Sequence, residues 1–123
     1  MTFARLESIA SRVVRDTLGA LPPLLRAEAE TCRIELAEMA AAVQIEDDLP
    51  DDLLGLFEGN ARCDPLPASP EEMPRIRLFL DNLWEDCDRD LETFRDEVRI
   101  TLLHELGHYL GLDEDQVAAL GLA

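Results

Sequence analysis

His104 and His108 stand four residues apart around a glutamate, in the stretch H-E-L-G-H (His104, Glu105, Leu106, Gly107, His108), and the chain has no other histidine. On an α-helix, residues four apart lie one turn above each other on the same face. Both imidazoles can therefore reach one point and hold one metal ion there. The H-E-x-x-H pattern sets a carboxylate beside that point rather than on it. Glu105 is accordingly read as a general base. The chemistry implied is hydrolysis: Zn2+ polarises a carbonyl, and a zinc-bound water activated by Glu105 attacks it.

A catalytic zinc site takes three protein ligands and leaves a position for water. Past the motif the chain reads Y-L-G-L-D-E-D, Tyr109 to Asp115. Gly111 can adopt a left-handed conformation, end the helix and turn the chain back toward the metal. In the longer pattern H-E-x-x-H-x-x-G-x-x-H the third ligand falls where Glu114 stands. Spacing therefore favours Glu114 as the third ligand, with Asp113 and Asp115 as alternatives. A competing use for these acids is structural. Asp113 followed by Gln116 forms a capping box for a terminal helix, whose first turn favours acids. Met39 and Met73 both precede the motif, and fifteen residues follow His108, so a shallow substrate cleft is expected.

These residues must be positioned by the elements around them. Phe3 to Leu18 carries apolar residues at Phe3, Leu6, Ile9, Val13, Val14 and Leu18, which predicts an amphipathic helix ended near Gly19 and Pro22-Pro23. A shorter helix is expected over Pro23–Glu30, with proline at its start. Cys32–Ala37 alternates as a strand does; Glu38–Gln44 is undecided between helix and strand. Glu46-Asp47-Asp48 with Pro50 marks a loop, and Leu53–Glu58 a strand ended by Gly59-Asn60. Ala61–Pro74 holds four prolines and reads as an irregular connection. Arg75–Leu80 is the clearest strand, with Ile76, Leu78 and Leu80 on one face and Arg75, Arg77 and Phe79 on the other. From about Asp90 a long helix is expected, its apolar stripe being Leu91, Phe94, Val98, Leu102, Leu106 and Leu110. His104 and His108 fall off that stripe, on a flank shared with Thr101 and Glu97. A short helix follows Gly111. The order of elements predicts a single α+β domain over residues 1–123, with a small sheet of about three strands.

Twenty-seven acids against eleven bases give a formal charge of −16, and every base is arginine. Such a surface repels nucleic acid and anionic membrane and suits a basic partner. No apolar run approaches a membrane span, and the N-terminus lacks a basic region followed by an apolar core. A cytoplasmic protein is expected. Cys32, Cys63 and Cys87 are odd in number and widely spaced, as reduced thiols are.

Three stretches carry a resemblance: L-L-G-L-F-E-G (Leu53–Gly59), P-R-I-R-L-F (Pro74–Phe79) and R-I-T-L-L-H-E-L-G-H-Y-L-G-L-D-E-D (Arg99–Asp115). In these the chain resembles the compact bacterial minimal zincins, a metalloprotease-like family. The resemblance implies a helix-and-sheet zincin fold and zinc on His104 and His108. It also implies Glu105 as base and an acid within Asp113–Asp115 as third ligand. The expected function is a zinc-dependent metallohydrolase, a metallopeptidase acting on a peptide or protein substrate, basic ones included. A peptide could lie along a sheet edge, with Arg75–Leu80 a candidate. The alternative is a non-catalytic acidic binding module that keeps the zincin fold, with or without a structural metal.

Overall fold

Thr2 opens the first helix, α1 (Phe3–Gly19), its hydroxyl accepting the backbone N–H of Arg5 at 3.2 Å. The computed structural model describes residues 1–38, 50, 52–59 and 74–119, the side chains of Glu114 and Val117 excepted. The undecided residues after Glu38, the acidic stretch Glu46–Asp48, Cys63 and most of the proline-rich connection lie outside the described residues. Proline starts α2 (Pro23–Ala29), where its fixed φ suits a first helical turn and its missing N–H costs nothing. Three strands follow: β1 (Arg33–Ala37), β2 (Gly55–Glu58) and β3 (Arg75–Phe79). Helices α3 (Leu80–Asp86), α4 (Leu91–Leu110) and α5 (Glu114–Ala119) complete the chain. The result is the small α+β arrangement expected from the pattern of elements. Among the described residues, no helix is long and apolar enough to cross a membrane.

The sheet order is β1-β3-β2. β3 pairs in parallel with β1 (Ile34 opposite Ile76, Leu36 opposite Leu78) and antiparallel with β2 (Gly55 opposite Leu78, Phe57 opposite Ile76). This corrects one expectation: Arg75–Phe79 is the central strand, hydrogen-bonded on both sides, and offers no edge to a peptide. A run in which every position is at least half-buried belongs between two neighbours, because both its faces and both its edges are covered.

A second correction concerns Leu80. The strand stops at Phe79, and Leu80 is the first residue of α3, a helix the strand reading did not foresee. Leu80, Leu83, Trp84 and Cys87 recur with helical spacing, but the acids and Asn82 between them resemble a turn. Trp84 packs edge-on against Phe94 at 5.6 Å between ring centres, and the Asn82 amide donates to the Leu53 carbonyl at 2.8 Å. These contacts tie α3 both to α4 and to the start of β2.

The two faces of the sheet differ. Ile76 and Leu78, both fully buried, point with Ile34 and Leu36 into a core shared with α1, α3 and α4. On the opposite face Glu58 binds Arg75 at 3.2 Å and also pairs with Arg77, while Arg75 reaches Glu35 at 3.5 Å. The Arg77 guanidinium is buried and lies 5.5 Å from the centre of the buried Phe79 ring. A buried cation is tolerated only with a partner of opposite sign, and Glu58 supplies it.

The apolar stripe of α4 is buried as expected at Phe94, Val98, Leu102, Leu106 and Leu110. Leu103 and Tyr109 are buried as well, so the core side of the last two turns is wider than the stripe implied. β2 comes close to this helix at one point. A Cβ placed on Gly55 would stand 2.7 Å from the Thr101 methyl and 3.4 Å from the Arg77 carbonyl oxygen. Gly55→Ala should therefore destabilise the fold by about 1–3 kcal/mol, the usual cost of overpacking. Replacing Thr101 by serine in the same chain removes the methyl and should restore most of that loss in urea denaturation. Equal stability of Gly55→Ala and wild type would show that the contact is not tight.

Candidate metal centre

Asp90 starts the helix that carries the motif. Its carboxylate accepts the Thr93 N–H at 2.9 Å and the Thr93 hydroxyl at 2.6 Å, and these two bonds hold it below the usual carboxylate range. From there α4 runs unbroken for 20 residues to Gly111. The angular position of each residue decides its use. Leu102, Leu103, Leu106, Gly107, Tyr109 and Leu110 turn inward, while His104 and His108 remain exposed on the flank and Glu105 is half-buried beside them.

The two imidazoles converge. Their Nε2 atoms are 3.2 Å apart, with ring centres 4.8 Å apart and planes inclined at 64°. Two nitrogens each 2.0–2.1 Å from a tetrahedral zinc ion lie about 3.3–3.4 Å from one another. The pair thus has the separation that two ligands of one such ion require. It is also the length of an N–H···N hydrogen bond, by which the rings can share a proton in the absence of metal. The chemistry of the donors fits zinc: neutral imidazole nitrogen is a preferred ligand, and the open flank leaves room for further ligands and water.

The end of α4 is built to turn the chain. Gly111 takes φ 74°, ψ 24°, the left-handed conformation foreseen for it. The Leu112 N–H reaches back to the Gly107 carbonyl at 2.8 Å, and Leu112 packs on the core. Beyond it Asp113 and Gln116 form a reciprocal capping box: Gln116 N–H donates to Asp113 Oδ1 at 2.7 Å, and Asp113 N–H donates to Gln116 Oε1 at 2.9 Å. The capping use of Asp113 is therefore realised. Asp115 is exposed in the first turn of α5. Glu114 is the first residue of that helix, and its side chain lies outside the described residues. Among the described residues, no group of three or more histidine, cysteine or acidic side chains converges as a metal site. The structure brings His104 and His108 together and adds Glu105 beside them.

Three further residues shape the surroundings. Thr101, one turn before His104, is half-buried against Gly55 and serves packing. Tyr109 is buried next to His108, with its ring 5.7 Å from that of Phe57 and its hydroxyl bonded to Thr31. Position alone gave no sign of that long-range bond, since 78 residues separate the partners. The buried thiols stand apart from this chemistry. Burial pushes Cys32 up to about 11 and also raises Cys87, whose Sγ–H donates to the Trp84 carbonyl.

With this geometry in view, comparison with known families is specific. The chain matches the zincin-like metallopeptidase family over residues 29–122. It belongs to that family, whose members are in general zinc-dependent. A comparison with curated proteins finds no match.

The capping box yields a measurable consequence. Asp113→Ala removes the acceptor for the Gln116 N–H and should lower stability by about 1 kcal/mol, as loss of an N-cap does. Urea denaturation of the variant beside Gln116→Ala would read it. No change in either would mean that α5 does not depend on the box.

Proposed function

We propose that this zincin-like protein is a zinc metallopeptidase in which His104, His108 and Glu114 hold the metal and Glu105 is the general base. The observation that carries this reading is the 3.2 Å separation of two exposed Nε2 atoms on one helix flank, with a carboxylate next to them. Bound zinc would supply Lewis acidity toward a carbonyl oxygen and lower the pKa of water to near neutrality. Glu105 takes the proton of the attacking water and delivers it to the departing amine. Its half-buried position between Thr101 and Tyr109 restrains its rotamers, so the base stays near the point on which the imidazoles converge. Glu114 is supported by its place in the sequence pattern and by the turn at Gly111, which sends the chain back past the end of α4.

An extended peptide fits beside β2. The Phe79 N–H donates to the Leu54 carbonyl at 2.9 Å, so positions 54, 56 and 58 are the bonded ones facing β3. Alternation then directs the N–H and C=O groups of Gly55 and Phe57 away from β3. Among the described residues that edge has no strand beside it. Gly55 lies against Thr101 and Phe57 against Tyr109, so this edge borders the flank of α4 that bears Glu105. A peptide strand added there would carry its carbonyls past the histidines.

A second reading has support from charge. At −16, and with Asp113 engaged in capping, the domain could hold a basic partner without turning it over. Zinc content and peptide hydrolysis together separate the two. Elemental analysis of wild type should find one equivalent of zinc, lost in His104→Ala/His108→Ala, weakened in Glu114→Ala and retained in Asp113→Ala. Glu105→Gln should keep its zinc yet hydrolyse a peptide library about 10²–10⁴-fold more slowly, the range a general base contributes. Loss of zinc from Glu105→Gln would make that residue structural. Wild-type protein that holds zinc and cleaves nothing would favour the binding module.

A further inference from the structure

The flank of α4 that carries the histidines continues toward the start of the helix with two residues that the metal chemistry leaves unused. Glu97 lies seven residues before His104 and eleven before His108. At 100° per residue its azimuth is about 20° from each of them, so it falls on the same row. It is half-buried, and it makes no hydrogen bond or ion pair among the described residues. Between Glu97 and the histidines stands Ile100, 47% exposed and so among the few large apolar side chains left open in the described structure. Arginines are near in sequence but not in direction. Arg95 and Arg99 are each two residues from Glu97, which sets them about 160° around the helix, exposed on the far side. The row thus reads, from the metal outward, as an apolar contact followed by an unneutralised carboxylate.

The direction of a bound peptide follows from β2 if the two pair antiparallel, the more stable pairing per residue. Because Gly55 lies beside Thr101 and Phe57 beside Tyr109, β2 runs in the same sense as α4. An antiparallel partner runs the opposite way, from the Tyr109 end toward Thr101. Residues that follow the scissile bond therefore pass Ile100 and then Glu97. The rise from Glu97 to His104 is about 10 Å along the helix, which an extended chain covers in about three residues.

We infer that Glu97 is a specificity-determining residue and that the site selects peptides with a basic residue about three positions after the scissile bond, preceded by an apolar one. This rests on the metallopeptidase reading above. Opposite charge at Glu97 stabilises an arginine or lysine there and repels an acid, and the surrounding excess of carboxylates adds to both effects. Ile100 covers the apolar side chain that arrives first.

The test uses the full zinc-loaded protein and two hydroxamate-capped tripeptide amides, Leu-Ala-Arg and Leu-Ala-Glu. The hydroxamate grips the metal, and this fixes the peptide on the side that follows the scissile bond. Calorimetric titration should show the arginine compound binding about two- to fivefold more tightly, the scale of a partly exposed ion pair. The ratio should shrink in 0.5 M salt, fall in Glu97→Gln to the smaller preference that the other carboxylates supply, and fall further in Glu97→Arg. A ratio near one in wild type, a ratio unchanged by Glu97→Gln, or no binding of either compound to zinc-loaded protein would each overturn the inference. If elemental analysis finds no zinc in the protein, the metallopeptidase reading fails and the inference with it. Zinc present with an indifferent charge ratio overturns the inference alone.

Discussion

One helix has to serve as the floor of the core and as the platform for chemistry, and the circumference of α4 is divided between these tasks. Phe94, Val98, Leu102, Leu106 and Leu110 fix its rotation by burial, because turning the helix even by one residue would drive the histidines into the core and lift leucines into water. With the rotation fixed, His104 and His108 emerge on the open flank, and their mutual approach follows from helix geometry alone. Gly55 sets the next distance. Its missing side chain lets β2 settle against Thr101, which brings the strand edge to the Glu105 side of the motif. A bulkier residue there would meet the Thr101 methyl and push the strand away from α4.

The sheet is held from its far side by charge rather than by apolar packing. Arg75 and Arg77 share Glu58, and Glu35 reaches Arg75 from β1, so the ion pairs bridge all three strands. Guanidinium suits this task because one planar group can donate to two carboxylates at once. The arrangement also explains part of the composition. In a chain of 27 acids and eleven arginines, Arg75 and Arg77 neutralise carboxylates inside the sheet, and Arg89 pairs with Glu85 on the surface, so acids remain in excess over the bases left to meet them.

The exit from α4 combines geometry with electrostatics. Gly111 reverses the chain in a left-handed cap, and the Asp113–Gln116 box starts a new helix three residues later. His108 stands in the last turn of α4, where the carbonyl ends of the helix concentrate partial negative charge. A cation held by the imidazoles is favoured there. The acids that follow strengthen the same field, and the hydroxyl bond from Tyr109 to Thr31 anchors this end of the helix to the turn after α2.

Local order was legible in the residues. Periodicity gave α1 and α4, proline the start of α2, and glycine the end of α4. Alternation gave two strands, a short apolar run ended by Gly59-Asn60 gave the third, and four-residue spacing gave a pair of imidazoles on one face. Each of these depends on interactions within a few positions of the chain, so type and spacing suffice. The places where the reading failed depend on neighbours distant in sequence. Nothing in Arg75–Phe79 says that β1 and β2 flank it on both sides. Leu80 looked like the next inward residue of a strand, but its turn into α3 is stabilised by Trp84 on Phe94 and by Asn82 on the Leu53 carbonyl. Likewise the close approach of Gly55 to Thr101 and the bond between the Tyr109 and Thr31 hydroxyls join residues far apart in the chain, and spacing carries no sign of either. The sequence by itself determined which residues could do chemistry and which helix would carry them. Only the tertiary structure decided which strand lies beside that helix, because strand order is set by side-chain fit between segments that lie far apart in the chain.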